Sequence, residues 1–290
     1  MSRIAYVNGR YLPHRAAQVH VEDRGYQFAD GVYEVCEVAC GHIIDRTRHL
    51  DRLDRSLGEL RIAWPVARPA LETILGEVVR RNRIYDGLVY LQVTRGVAKR
   101  DHAFPAGEVP SALVVTAKSV DPAIAASKAE NGIAAITVPE NRWDRVDIKT
   151  IGLLPNVMAR QAAVEQGAQE ALFVDGDGIV KEGASTNVWI VSRDGVLTSR
   201  HAKHGILRGI TRTTVLEVAE SANLTFEERG FTVDEAKEAR EVFVTSATSV
   251  VIPVTSIDGH VIANGKPGST SAALRAAFYD HAEKVAVYAT

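Results

Sequence analysis

Turn dipeptides set between alternating apolar runs constrain this chain more than any other feature. In "IAYVNGRYLP" the pair Asn8-Gly9 separates two short runs, and Asn-Gly readily supplies the two positive-φ residues of a tight hairpin turn. Asp177-Gly178 in "ALFVDGDGIV" and Asp258-Gly259 in "VVIPVTSIDGHVIANG" repeat the device, and a strand near 33–39 turns at Gly41 and His42 into "IID". Hairpins join antiparallel neighbours, so a strict succession of parallel β-α units is ruled out. Helical periodicity appears between the strands. Leu50, Leu53, Leu57 and Leu60 share one helix face, and Leu71, Ile74, Leu75, Val78 and Val79 share another. "GLVYLQVTRG" is apolar on both faces, which predicts a central strand. Further helices are predicted near 155–166, from "GITRTTVLEVAESAN", and near the end of the chain, where Leu274, Ala277, Phe278 and His281 share a face. "TVDE" at 232–235 is a capping box before a short helix. The expected class is α+β.

Length divides this pattern. At roughly 150 residues per domain, 290 residues predict two domains. The polar stretch "SVDPAIAASKAENG", with Pro122 and a closing Asn131-Gly132, marks the boundary. This gives an N-terminal α/β domain over 1–119, a linker over 120–131 and a C-terminal α/β domain over 132–290. No stretch approaches the roughly 18 apolar residues that cross a bilayer, and "MSRIAYVNGRYLP" has no signal-peptide apolar core, so a cytoplasmic protein is expected. The net charge of −2 provides no basic field for nucleic acid or anionic lipid. Cys36 and Cys40 lie four apart in a strand-like stretch, too distant to pair, and are read as two buried, reduced thiols. "HAKH" (His201, His204) has no neighbouring acidic or sulfur ligand to complete a zinc site.

Common nucleotide and hydrolase signatures are missing. There is no Gly-x4-Gly-Lys-Ser/Thr, "GDG" is too short for a dinucleotide fingerprint, and "GASTN" carries Asn187 where a nucleophile elbow needs glycine. Other groups remain. "VDIKTIGLLPN" places Lys149 between Ile148 and Ile151, where it either snorkels to water or is a desolvated amine available for covalent chemistry. "LRGITR" opens a helix at Gly209, and exposed amides at a helix start attract anions. The hydroxyls of "VTSATS" either bind phosphate or finish a turn. Arg52 is either a phosphate ligand or part of a solvated face with Asp51, Asp54 and Arg55. Glu182 in "KEGASTN" is either an ordinary turn glutamate or the partner of a ring nitrogen. An amine, a carboxylate and an anion site are together the set that a pyridoxal phosphate enzyme needs.

In order and spacing, "EDRGYQFADGVYEV", "HLDRL", "QVTRGVAKRDHAFP", "DIKTIGLLPNVMARQ", "EGASTNV", "GILRGITR" and "FVTSATS" resemble the class IV (fold type IV) pyridoxal phosphate transaminases, most closely those acting on D-amino acids. The resemblance implies that Lys149 forms the imine with pyridoxal 5'-phosphate and then moves the substrate proton. It implies that Glu182 pairs with the pyridine nitrogen and that Leu207 packs on the ring. Phosphate would rest on Arg52, the amides of Ile210 and Thr211, and the hydroxyls of Thr211, Ser246 and Thr248. Ala247 stands where relatives often carry a hydroxyl, so its contact would fall to its backbone amide. Arg100 and His102 of "KRDHAFP", with Tyr33, match the α-carboxylate trap of D-amino acid transaminases, whose loop serves the partner subunit's pocket in a homodimer. The implied activity moves the amino group of a D-amino acid, such as D-alanine or D-glutamate, to 2-oxoglutarate or pyruvate. The alternatives of the same fold are a branched-chain L-amino acid transaminase and an aminodeoxychorismate lyase, both opposed by Arg100 and His102. A cofactor- or metabolite-binding regulatory protein is the non-enzyme alternative.

Overall fold

The computed structural model describes residues 3–288. The chain forms two compact units: one runs to Asp121 and takes in Ile148–Gly152 and the segment from Glu283, and the other holds Pro122–Asp147 and Leu153–Ala282.

In the first unit β1 (Ile4–Val7) and β2 (Arg10–Pro13) form the expected hairpin, with φ of 43° at Asn8 and 90° at Gly9. There follow α1 (Arg24–Phe28), β3 (Gly31–Ala39), β4 (His42–Ile44), α2 (Arg46–Leu60), α3 (Arg68–Arg81), β5 (Gly87–Thr94) and β6 (Ala112–Ser119). The second unit contains α4 (Pro122–Asn131), β7 (Ile133–Pro139), α5 (Leu154–Glu165), β8 (Glu170–Val174), β9 (Val180–Gly183), β10 (Asn187–Val191) and β11 (Leu197–Ser199). It continues with α6 (Ile210–Ser221), β12 (Phe226–Glu228), α7 (Val233–Glu238), β13 (Glu241–Ser246), β14 (Val250–Ile257), β15 (His260–Val261) and α8 (Ser269–His281). The last strand, β16 (Lys284–Ala286), belongs to the first unit.

The first unit's sheet, in the order β16-β4-β3-β5-β6-β1-β2, is antiparallel throughout. The apolar stripes of α2 and α3, including Leu50, Leu53, Leu57, Leu71 and Leu75, pack with Val32, Cys36, Val38, Val89 and Leu91 into one core. Strand alternation puts Val32, Glu34, Cys36 and Val38 on the buried face of β3 and leaves Tyr33, Val35 and Glu37 half-buried. A carboxylate therefore faces the core. Because β4 pairs only with Val38 and Ala39, the other end of that edge of β3 is open to a second partner. Residues Ile148–Gly152 fill it: the amide of Tyr33 donates to the Lys149 carbonyl at 3.0 Å, and the amide of Ile151 donates to the Gly31 carbonyl at 3.1 Å. Lys149, expected in the second domain, is thus carried by the first unit.

The second unit's sheet runs β12-β11-β10-β13-β14-β7-β8-β9, with β15 paired to β14. It is mixed, since β7 lies parallel to both β14 and β8. Its core gathers Leu172, Val188, Ile190, Phe231, Val242, Val244 and Val254, with a second cluster of Phe173, Ala159 and Ala163 under α5. Thr232 caps α7 as the capping box predicts, its Oγ1 accepting the Glu235 amide at 3.0 Å.

The stretch 120–131, expected as a linker, contains α4: Pro122 opens the helix in the position where proline suits one, and its alanines sustain it although it buries no residue. One expectation is corrected. Cys40 is not buried. It sits in the β3–β4 turn at φ 48°, exposed, and only Cys36 lies in the core; both are free thiols. Among the described residues no helix is long and apolar enough to cross a membrane.

Candidate active site

In the first unit, the strand pairing just described presents Lys149 half-buried, with its Nζ 4.3 Å from the centre of the Tyr33 ring. That contact is favourable for an ammonium over a phenol face, and Tyr33 in turn stacks on Tyr90 at 5.6 Å. On the core face of β3, Glu34 is fully buried and joined to α2 by three bonds. Arg52 donates through Nε to Oε1 and through Nη2 to Oε2, both at 2.7 Å, and His49 Nδ1 lies 2.7 Å from Oε2. Burial pushes the Glu34 carboxyl up, but Arg52 and His49 overcome it and hold it down at about 2. Such an ionised carboxylate only accepts, so Nδ1 of His49 carries the proton. Burial drives the His49 imidazole below its ordinary range against the pull of Glu34, and the charges of Arg52 and Lys149 act in the same direction as burial. Arg52, Tyr33 and Lys149 are thus part of one electrostatic neighbourhood.

Glu34 and His49 were not among the residues singled out from the sequence. Their signal was present: Glu34 shares the face of Val32, Cys36 and Val38, and His49 lies three residues before Arg52 beside the leucine stripe of α2.

Arg100 and His102 occupy an exposed stretch after β5. The Arg100 guanidinium lies 4.9 Å from the Phe28 ring centre, and the His102 ring lies 5.4 Å from it. Arg24, buried beneath, stacks on the same ring, donates to Asp30 at 2.8 Å, and donates to the Asp101 carbonyl at 2.6 Å, which fixes the backbone between the two. Arg95 completes the support with two bonds to Asp30, at 2.7 and 2.9 Å. Burial would raise the Asp30 carboxyl, yet Arg95 and Arg24 keep it below its usual value. Among the described residues, no hydrogen bond or ion pair joins Arg100 or His102 to Lys149 or Tyr33.

In the second unit Glu182 lies next to the end of β9, buried and held on both oxygens. Arg142 Nη1 donates to Oε1 at 2.6 Å, while Asn187 Nδ2 and the Leu207 amide each donate to Oε2 at 3.0 Å. Asn187 also donates to the Leu207 carbonyl at 2.9 Å, so one side chain sets both the carboxylate and the half-buried Leu207. Gly209 precedes α6, and a Cβ there would stand 2.1 Å from Asn187 Oδ1; only glycine fits. No side chain caps α6 at its start, where Ile210 and Thr211 are buried. The β13–β14 turn carries Ser246 and Thr248, whose hydroxyls lie 3.2 Å apart, with Ala247 between them. Val250 closes that turn at φ 62°, a strained value for a β-branched residue. Arg275 of α8 braces it by donating to the Ser249 and Val251 carbonyls. The unit therefore combines a clamped buried carboxylate with a helix start and a hydroxyl turn suited to an anion. Sequence reasoning missed Arg142 and the structural role of Asn187.

The whole chain resembles known proteins. A family model described as amino-transferase class IV matches residues 31–257. A D-alanine aminotransferase of Bacillus licheniformis is 43% identical over 261 residues, covering 90% of this chain and 90% of that protein. One from Staphylococcus haemolyticus is 38% identical over 278 residues, covering 96% and 97%. Among solved structures, a T.th. branched-chain amino acid aminotransferase with pyridoxamine 5'-phosphate aligns at a TM-score of 0.88 with 27% identity, covering 97% of this chain and 94% of that one. The Escherichia coli branched-chain enzyme shares the fold at a TM-score of 0.89 and 23% identity, covering 97% and 94%.

Proposed function

Because the chain belongs to the class IV aminotransferases, we propose that it moves the amino group of a D-amino acid, such as D-alanine or D-glutamate, to a 2-oxo acid, 2-oxoglutarate or pyruvate. The observation that carries the D-specific reading is the 43% identity to a D-alanine aminotransferase over 90% of both chains. The cofactor is pyridoxal 5'-phosphate, and the residues present fit it. The start of α6 has no side-chain cap, so its amides suit a phosphate, and a buried carboxylate fixed on both oxygens suits a protonated ring nitrogen.

When bound, the cofactor supplies an electron-withdrawing ring that stabilises negative charge at the substrate Cα. In this reading Lys149 would hold it covalently and carry the proton to and from Cα. Glu182 would hold the ring nitrogen, and Leu207 would pack on the ring. Arg52, the amides of Ile210, Thr211 and Ala247, and the hydroxyls of Thr211, Ser246 and Thr248 would hold the phosphate. Arg100, His102 and Tyr33 orient the α-carboxylate, and so decide which Cα hydrogen faces the lysine. Among the described residues neither Arg100 nor His102 has a hydrogen bond or ion pair with Lys149, and in this reading their loop serves a second subunit. A homodimer belongs to the same proposal. It is supported by the exposed stripe of Leu154, Val157, Met158 and Val164 along one face of α5. The cytoplasmic location expected from the sequence is part of this reading, and fractionation of the source cells tests it.

The likeness to branched-chain enzymes favours one competing reading, transamination of L-amino acids. Incubation with D- and L-alanine, followed by chiral product analysis, separates the two: turnover of the D form is expected, and activity confined to L forms overturns the proposal. Borohydride reduction of the loaded enzyme should fix the cofactor on Lys149 by mass spectrometry. An adduct elsewhere, or none, removes Lys149 from its role.

A further inference from the structure

The carboxylate assigned to the ring nitrogen does not stand alone. Arg142 directs its fork at Glu140, with Nε to Oε1 at 2.9 Å and Nη2 to Oε2 at 2.6 Å, and uses the remaining Nη1 on Glu182 at 2.6 Å. The guanidinium lies 4.3 Å from the centre of the Phe173 ring, which limits the tilt of its plane. Side-chain exposure is 6% for Arg142, 6% for Glu182 and 17% for Glu140, so the three charges interact with little water between them. Two carboxylates and one guanidinium leave a single net negative charge. Glu140 contributes its share because it is ionised at neutral pH: burial raises its carboxyl, but Arg142 holds it below its ordinary value. The other cation bearing on Glu140, Lys181, lies 3.5 Å from Asp175.

We propose that Arg142 is a positioning residue for Glu182, and that Glu140 offsets the charge of Arg142 so that Glu182 keeps a full negative charge toward the cofactor's ring nitrogen. The proposal rests on the assignment of Glu182 to that nitrogen. Arg142 paired with Glu182 alone would be a neutral couple with little to offer a third group. With Glu140 added, the cluster is completed by one positive charge, the protonated ring. Arg142 fixes one oxygen of Glu182 while Asn187 and the Leu207 amide fix the other, so the carboxylate cannot turn away.

The test uses the full chain loaded with pyridoxal 5'-phosphate labelled with 15N at the ring nitrogen. The ring-nitrogen chemical shift is followed as pH rises, and cofactor affinity is read by fluorescence titration. Glu182→Gln checks the underlying assignment: it should remove the proton from the ring at neutral pH. Glu140→Gln should lower the midpoint of ring deprotonation by about one pH unit with little change in cofactor affinity. Arg142→Lys, which keeps the charge but cannot span both carboxylates, should weaken cofactor binding about tenfold with the circular dichroism of the native protein. If Glu182→Gln shifts the midpoint while Glu140→Gln leaves it unmoved and Arg142→Lys binds cofactor as the parent does, the proposal is overturned and the assignment stands. A midpoint unmoved by Glu182→Gln overturns the assignment and the proposal together.

Discussion

Asn187 shows how much one side chain decides in the second unit. Its amide donates both to Glu182 and to the Leu207 carbonyl, and its oxygen lies where any side chain at position 209 would have to go. Asn187→Leu removes both bonds and leaves Glu182 with one fewer donor, and losing a hydrogen bond to a charged carboxylate costs about 1.5–3 kcal/mol. Cofactor affinity should fall at least about tenfold, read by fluorescence titration against the parent protein; unchanged affinity would detach Asn187 from the site. Arg100 predicts the opposite pattern. It is exposed and, among the described residues, has no hydrogen bond or ion pair with the residues proposed to hold the cofactor, so Arg100→Ala should raise the KM for D-alanine while cofactor retention on gel filtration stays at the parent level. Loss of cofactor in that variant would mean the loop does something other than hold the substrate carboxylate.

Between elements, the decisive link is that of β3 to α2 through Glu34, His49 and Arg52. Glu34 has its carboxyl lowered from 4.5 to about 2 in the folded chain, so its stabilising effect is complete above pH 4.5 and is lost as pH falls toward 2. His49 is lowered from its ordinary value of 6.5, so below that pH the unfolded chain binds the proton more readily and stability falls. Both shifts have the same sign. Urea unfolding midpoints measured from pH 7 down to pH 3 should decline in two stages, the first beginning near pH 6.5 and the second below pH 4.5. Glu34→Gln should shrink the second stage without removing it, since Asp30 and Glu140 are also held below their ordinary values, and, by leaving the buried charge of Arg52 facing a neutral amide, should cost about 3–5 kcal/mol at neutral pH. A parent profile flat across that range would contradict the proposed linkage. The same link explains how Arg52 is held in place: its guanidinium is gripped by a carboxylate on the core face of a strand rather than lying on a solvated helix surface.

At the scale of the whole molecule, assembly has a direct test. The stripe of Leu154, Val157, Met158 and Val164 is exposed while the opposite side of α5, through Ala159 and Ala163, packs on Phe173. The proposed homodimer predicts that the parent protein sediments as a dimer at micromolar concentration and that Met158→Asp, which places a charge in that stripe, shifts it to monomer with loss of turnover; an unaltered dimer would move the interface elsewhere, and a monomeric parent would remove the dimer. Much of this architecture was legible beforehand, because its causes are local. Asn8-Gly9 and Thr232 with Glu235 act within a few residues, and the leucine stripes of α2 and α3 need only the helical repeat to declare a buried face. Lys149, Glu182 and the 209–212 helix start were legible as residue types through the resemblance. The misreading of Cys40 arose where one local signal masked another, because strand-like composition placed it inside a strand that had already turned; the helix α4 within the expected linker went unpredicted because polar composition hid its alanines. Sequence alone determined which groups could do chemistry and where the chain would turn or coil, since both follow from side-chain structure and short-range backbone sterics. Only the tertiary structure decided that Lys149 returns to the edge of β3, that Glu34 grips Arg52, and that Arg142 reaches Glu182 forty residues on. Pairing of buried charges depends on distance through space and on the water excluded around them, and neither quantity is written in the spacing along a chain.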